Sequence, residues 1–220
     1  MTSWGDAGSA GPLFVVGIGL LGFILAPMAE LLITRLLPRL GGLPATRTRI
    51  TTAAVAAIVC AALALRFGTD SGLPAFILLS ILGVQLARID ISLHLLPNSL
   101  VLSLLFGGIV CFLLTTFGTQ QWDNVVRAMA AAAILFVIYL ILAIISPGGM
   151  GMGDVKLAAP AGLYLGYLGW SQLLYGGLLG FIAGGIASAL LLRIQAEKPS
   201  EVAFGPSMLA AVVAVSLVSG

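Results

Sequence analysis

Apolar runs about as long as a bilayer is thick, roughly 20 residues each, follow one another along this chain with only short polar breaks. The first reads PLFVVGIGLLGFILAPMAELLITRLL, residues 12–37. A run that long and that uniformly apolar has no place on the surface of a water-soluble fold. It reads as a membrane-spanning helix, in which the backbone bonds to itself and needs no water. Eight candidate spans can be drawn, at about 12–37, 50–67, 73–89, 98–117, 125–145, 155–168, 170–192 and 203–219. The breaks carry turn-formers: PRLGGLPATRTR, GTDSGLP, GTQQWDN, SPGGMGMG and QAEKPSE. There is no internal repeat. The expected fold is an all-α polytopic membrane protein of about eight transmembrane helices, forming a single integral membrane domain over residues 1–220.

The sixth span is the shortest. At 1.5 Å per residue it covers only about 20 Å, and it contains Pro160. It either crosses tilted or enters a protein-lined cavity. Composition agrees with the membrane reading, since 60% of residues are hydrophobic and 8% charged, against about 25% charged in soluble domains. A formal charge of +2, with no basic aromatic patch, argues against a nucleic-acid partner; the bilayer is the implied surrounding. Residues 1–11 hold no basic residue and include Asp6, so the first run lacks the charged start of a cleavable signal peptide and reads as a retained span. Cys60 and Cys111 both fall inside apolar segments and form no CxxC pair, which makes them small buried hydrophobes, not metal ligands or a disulfide framework.

Basic residues give the orientation. With the N-terminus outside, Arg35, Arg39, Arg47, Arg49, Arg88, Lys156, Arg193 and Lys198 all fall at cytosolic ends, and only Arg66 and Arg127 fall outside. Removing the sixth span would put Arg193 and Lys198 on the wrong side, so the bias supports counting it. The expected topology is N-out, C-out. It places Asp90, at the end of the third span, and Asp154, at the start of the sixth, on the same cytosolic face although they are 64 residues apart in sequence.

Acids at a membrane edge are rare because they are costly, and they mark function. Two carboxylates held close together share a proton. One then activates water as a base while the other protonates a leaving amine as an acid. Peptide-bond cleavage at a membrane surface is the reaction such a pair suits, and it calls for no metal, cofactor or covalent intermediate. Gly151 and Gly153, without a Cβ, leave room for a substrate backbone beside Asp154. The plainer alternative is that Asp154 only caps the helix starting near Val155. A phosphate loop fits worse still, because the spacing of GxxxxGK[ST] and its hydroxyl are both missing.

The segment GMGD, residues 151–154, resembles the GxGD signature of membrane aspartyl proteases. IDISLHLLPNSL resembles the first-aspartate segment of the type IV prepilin peptidase family, with Pro97 of LPN seven residues after Asp90. GFILAPMAELLITRLLPRLG looks like that family's first span, and VAFGPSMLAA looks like its last, which opens with FGP. The resemblance runs in order from about Gly19 onward. It implies a GxGD aspartyl protease fold with a peptidase core at about 73–192, and a bacterial cytoplasmic-membrane enzyme. Its catalytic pair would be Asp90 and Asp154, with Gly151, Gly153, Lys156, Pro97 and Asn98 binding substrate or supporting the loops. The implied substrates are prepilins and pseudopilins, cut after the glycine that ends a short basic leader, with no zinc or nucleotide used in the cleavage.

Two departures matter. Bifunctional members carry a large first cytosolic loop with two CxxC pairs and also methylate the new N-terminus; here the loop at 38–49 is a dozen residues without cysteine, so methyltransferase activity is not expected. Many relatives have a second acid two residues after the first; here it is Ser92, which leaves Asp90 alone. With Asp154 at a helix start beside Lys156, Asp154 is expected to be the ionised base and Asp90 the protonated acid. Glu30, the one ionisable group well inside a span, reads as bonding a neighbouring helix or water in preference to substrate. His94 reads as a solvated loop residue. Phe204, Gly205 and Pro206 read as a loop-to-helix start, and the small residues of GGLLGFIAGGIASA as a packing face. The runner-up function is an ion- or proton-coupled transporter, which would set ionisable groups near the bilayer midplane in repeated halves. A catalytically dead relative that scaffolds pilus assembly is a third reading, against which both aspartates speak.

Overall fold

The computed structural model describes residues 11–38, 42–145, 151–194 and 204–219, with side chains to residue 187 in the third of these stretches. Arg39, Lys198, Glu197 and Glu201, like the first half of the SPGGMGMG loop, lie outside them, as does the side chain of Arg193. Eight helices and no strand occur among the described residues: α1 Pro12–Leu36, α2 Thr46–Phe67, α3 Leu73–Leu93, α4 Asn98–Thr119, α5 Trp122–Ile145, α6 Met152–Leu168, α7 Trp170–Ile194 and α8 Gly205–Val218. Six are long and apolar enough to cross a membrane. The other two, α6 with 17 residues and α8 with 14, are shorter. The chain is a polytopic helical membrane protein. Large side chains such as Ile58, Leu65, Leu114 and Ile144 point outward on these helices, where lipid, not water, is their solvent.

The helices group into two compact units divided after Gln85. In the first, α1 and α2 pack antiparallel through small residues: Gly19 lies against Ala61, Gly22 against Cys60, and Ala26 with Ala53 and Ala56. A Cβ on Gly22 would sit 2.8 Å from Cys60 Sγ, so the approach depends on glycine. One turn beyond Ala26, the buried Glu30 accepts from Arg49 Nε at 3.3 Å, the first of the two structural roles, helix or water, that the sequence left open. Gln85 Nε2 donates to the carbonyl of Ala26 at 2.9 Å, tying the middle of α3 to α1.

The second unit, from Leu86 to Ser219, is built around α6. Eleven of its 17 residues are buried, and it packs on α4, α5, α7 and α8. Gly162 and Gly166, one turn apart, face Ala128, Ala131 and Ala132 of α5 so closely that side chains there would strike backbone. On α4, Phe112 stacks on Tyr167 at 3.9 Å and meets the edge of Tyr164. Pro160 lies inside α6 without ending it. At the far end of α6 the Arg127 guanidinium donates to the carbonyls of Gly166 and Tyr167, both at 2.7 Å. These carbonyls have no partner within the helix, and a cation at a helix C-terminus is favourable.

Candidate active site

α3 does not stop at Ile89, where its apolar run ends, but continues through a polar turn to Leu93. Asp90 therefore stands on a helix. His94 terminates that helix: its φ is +51° and its N–H bonds the carbonyl of Asp90 at 2.9 Å, a left-handed C-terminal cap of a kind usually filled by glycine or asparagine. Ser92 returns its hydroxyl to the carbonyl of Arg88 at 2.9 Å. Pro97 is the N-cap of α4, its carbonyl receiving the N–H of Leu100 and Val101, and Asn98 opens the helix.

α6 likewise begins earlier than its apolar run, at Met152, with Gly151 as N-cap. Asp154 is thus the third helical residue, not the cap, and lies in the first turn where the helix dipole favours negative charge. The glycine of this turn has a use the sequence did not show. A Cβ on Gly153 would lie 2.9 Å from Leu96 Cβ, so the space expected for substrate beside Gly153 is filled by the α3–α4 loop. That contact brings the loop after Asp90 down onto the first turn of α6.

The outcome is one cavity of about 280 Å³, near the lower end of ligand-binding volumes, which start at about 300 Å³. Asp90 and Asp154, 4% and 5% exposed, both line it, and so do Gly151, Gly153, Asn98 and Lys156. Lys156 Nζ donates to Asn98 Oδ1 at 2.9 Å. A second cavity between α4, α5 and α6, walled by Val101, Leu105 and Phe136, shares Asn98 and Lys156 with the first. Of the sequence candidates only Pro97 stays off the wall. The wall also includes His94, Leu95, Leu96 and Met152, of which the sequence singles out only His94, and that as a loop residue. Asp90 gains one more partner: its Oδ2 accepts the backbone N–H of Gly205 at 3.1 Å. Among the described residues no group of three His, Cys, Asp or Glu side chains could hold a metal ion.

Residues 75–189, more than half of the chain and including both aspartates, match the type IV leader peptidase family. The chain belongs to this family. It is 36% identical over 154 residues to the prepilin leader peptidase/N-methyltransferase of Aeromonas hydrophila, covering 68% of this chain and 51% of the relative. It is 32% identical over 144 residues to the protein of the same name from Stutzerimonas stutzeri, covering 64% and 48%. The Dickeya chrysanthemi protein of that name is 36% identical over 125 residues, 56% of this chain and 43% of the relative. This leader peptidase relative therefore spans about half the length of the curated proteins it matches. No solved structure matches it.

Proposed function

We propose that this chain is a membrane aspartyl endopeptidase that removes the short basic leader of type IV prepilins or pseudopilins at the cytosolic face of a bacterial inner membrane. The observation that carries this reading is that two buried carboxylates, 64 residues apart in sequence, line one small cavity. The family match supports a peptidase, and the matched relatives' names supply the substrate class. Asp154, in the first turn of α6, acts as the base and takes a proton from water. The water oxygen attacks the scissile carbonyl. Asp90 then gives its proton to the leaving amine as the C–N bond breaks. Methylation of the new N-terminus is not part of the proposal, because the loop at 38–49 is short and lacks cysteine.

The test is co-expression with a prepilin, following leader removal by mobility and mass. Asp90→Ala and Asp154→Ala are each expected to slow processing by about 10²–10⁴-fold, the contribution of one proton-transfer group, with membrane levels unchanged. Processing at the wild-type rate in either variant overturns the paired-aspartate mechanism.

A further inference from the structure

α8 opens at Phe204-Gly205-Pro206, and its first N–H reaches Asp90 across 115 residues of sequence. A helix leaves its first amides without internal partners, and here one of them is satisfied by the cavity's buried carboxylate. The fit excludes any side chain at that point: a Cβ on Gly205 would lie 2.6 Å from Asp90 Oδ2 and 3.5 Å from Leu157 Cδ2. Leu157 is one turn along α6 from Asp154, so Gly205 sits between the helix ends that carry the two acids. The turn is itself fixed. Ser207 Oγ donates to the Phe204 carbonyl at 2.7 Å, and the Phe204 ring occupies the space that a side chain on Gly184 of α7 would need.

We infer that Gly205 is a positioning residue for the proposed cleavage: its amide holds Asp90 Oδ2 as an acceptor and leaves Oδ1 as the atom that delivers the proton. A carboxylic acid accepts better through its carbonyl oxygen than through its hydroxyl oxygen, so this bond favours Oδ2 as the C=O and Oδ1 as the OH. In the cleavage step the Oδ1–H bond breaks and an N–H bond forms on the departing amine. Asp90 is left as a carboxylate, and the Gly205 hydrogen bond strengthens as that charge appears. A contact that tightens along the reaction accelerates it, whereas one equally strong throughout does not. The inference rests on the aspartyl-protease reading, and its test separates the two.

The chain has four Phe–Gly peptides, at Phe67–Gly68, Phe106–Gly107, Phe117–Gly118 and Phe204–Gly205. Full-length protein labelled with carbonyl-¹³C phenylalanine and ¹⁵N glycine therefore gives only four filtered amide signals. One signal is expected downfield, and Asp90→Ala should move it upfield while the other three stay. In prepilin cleavage, Gly205→Ala should lower kcat by about 10²-fold, the size of a 1 Å misplacement at a reacting group, with KM within about threefold of wild type. A general loosening of substrate binding would raise KM instead. Four signals indifferent to Asp90→Ala, or Gly205→Ala cleaving at wild-type kcat, overturn the inference while an active wild type keeps the protease reading. A wild type that cleaves no prepilin removes both. If Gly205→Ala fails to fold, the spectra of wild type and Asp90→Ala still decide.

Discussion

Single residues at the cavity are held by clearances as much as by bonds. Gly153→Ala would press a methyl group into Leu96, whose Cβ is 2.9 Å away. The expected cost is about 1–3 kcal/mol, the usual range for overpacking, read as a lower thermal midpoint together with slower prepilin processing. Leu96→Gly added to it should restore much of the loss, because the clash is with Leu96 Cβ itself; no recovery in the double variant would show that the Gly153–Leu96 contact is not what joins the loop to α6. The two aspartates were legible in the sequence because a charge beside apolar runs is conspicuous. Gly205 was not: the sequence marks FGP as a helix start, but a backbone donor has no side chain to announce its partner, and that partner is 115 residues away. His94 was legible as a loop residue but not as the left-handed cap of α3, since a positive φ in a residue other than glycine leaves no mark on composition. The pairing of Lys156 with Asn98 also needed the fold, which alone brings the starts of α4 and α6 together.

At the scale of elements, apolar counting found every helix among the described residues and misplaced some of their ends. α2 begins at Thr46, α5 at Trp122 and α6 at Met152, and α3 runs on to Leu93, each adding a polar turn to its apolar run. The reason is that hydropathy reports only the part of a helix that sits in hydrocarbon, whereas backbone bonding carries the helix on into the interface. Those extra turns set Asp90 and Asp154 on helices. Packing of α6 gives a contrast to test. Gly166→Ala would drive its methyl into Ala131 and sit 3.1 Å from Ala128 Cα, so a loss of about 1–3 kcal/mol is expected. Gly185 on α7 has open space where a Cβ would go, and Gly185→Ala should stabilise by about 0.5–1 kcal/mol through helix propensity. Thermal unfolding in detergent reads both; equal effects of the two changes would show that α5 and α6 do not pack as closely as described.

For the whole molecule, the question is which side of the membrane the cavity faces. α6 connects two ends of different character: Asp154 and Lys156 at its start on the cavity, and carbonyls bonded by Arg127 at its finish. The first turns of α5 therefore lie with the finish of α6, away from the cavity. The basic residues, eight against two in favour of one side, favour a cytosolic cavity and an external Arg127 end, in the N-out, C-out arrangement. The proposed leader cleavage on the cytosolic side needs the same orientation. In a background with Cys60 and Cys111 replaced by alanine, Gln121→Cys, exposed between α4 and α5, should react with a membrane-impermeant maleimide from outside the inner membrane. Leu95→Cys, on the cavity wall, should react only once that membrane is opened. The opposite pattern would put both carboxylates on the outer face, where a leader still in the cytosol could not reach them, and the proposed reaction would have no substrate there.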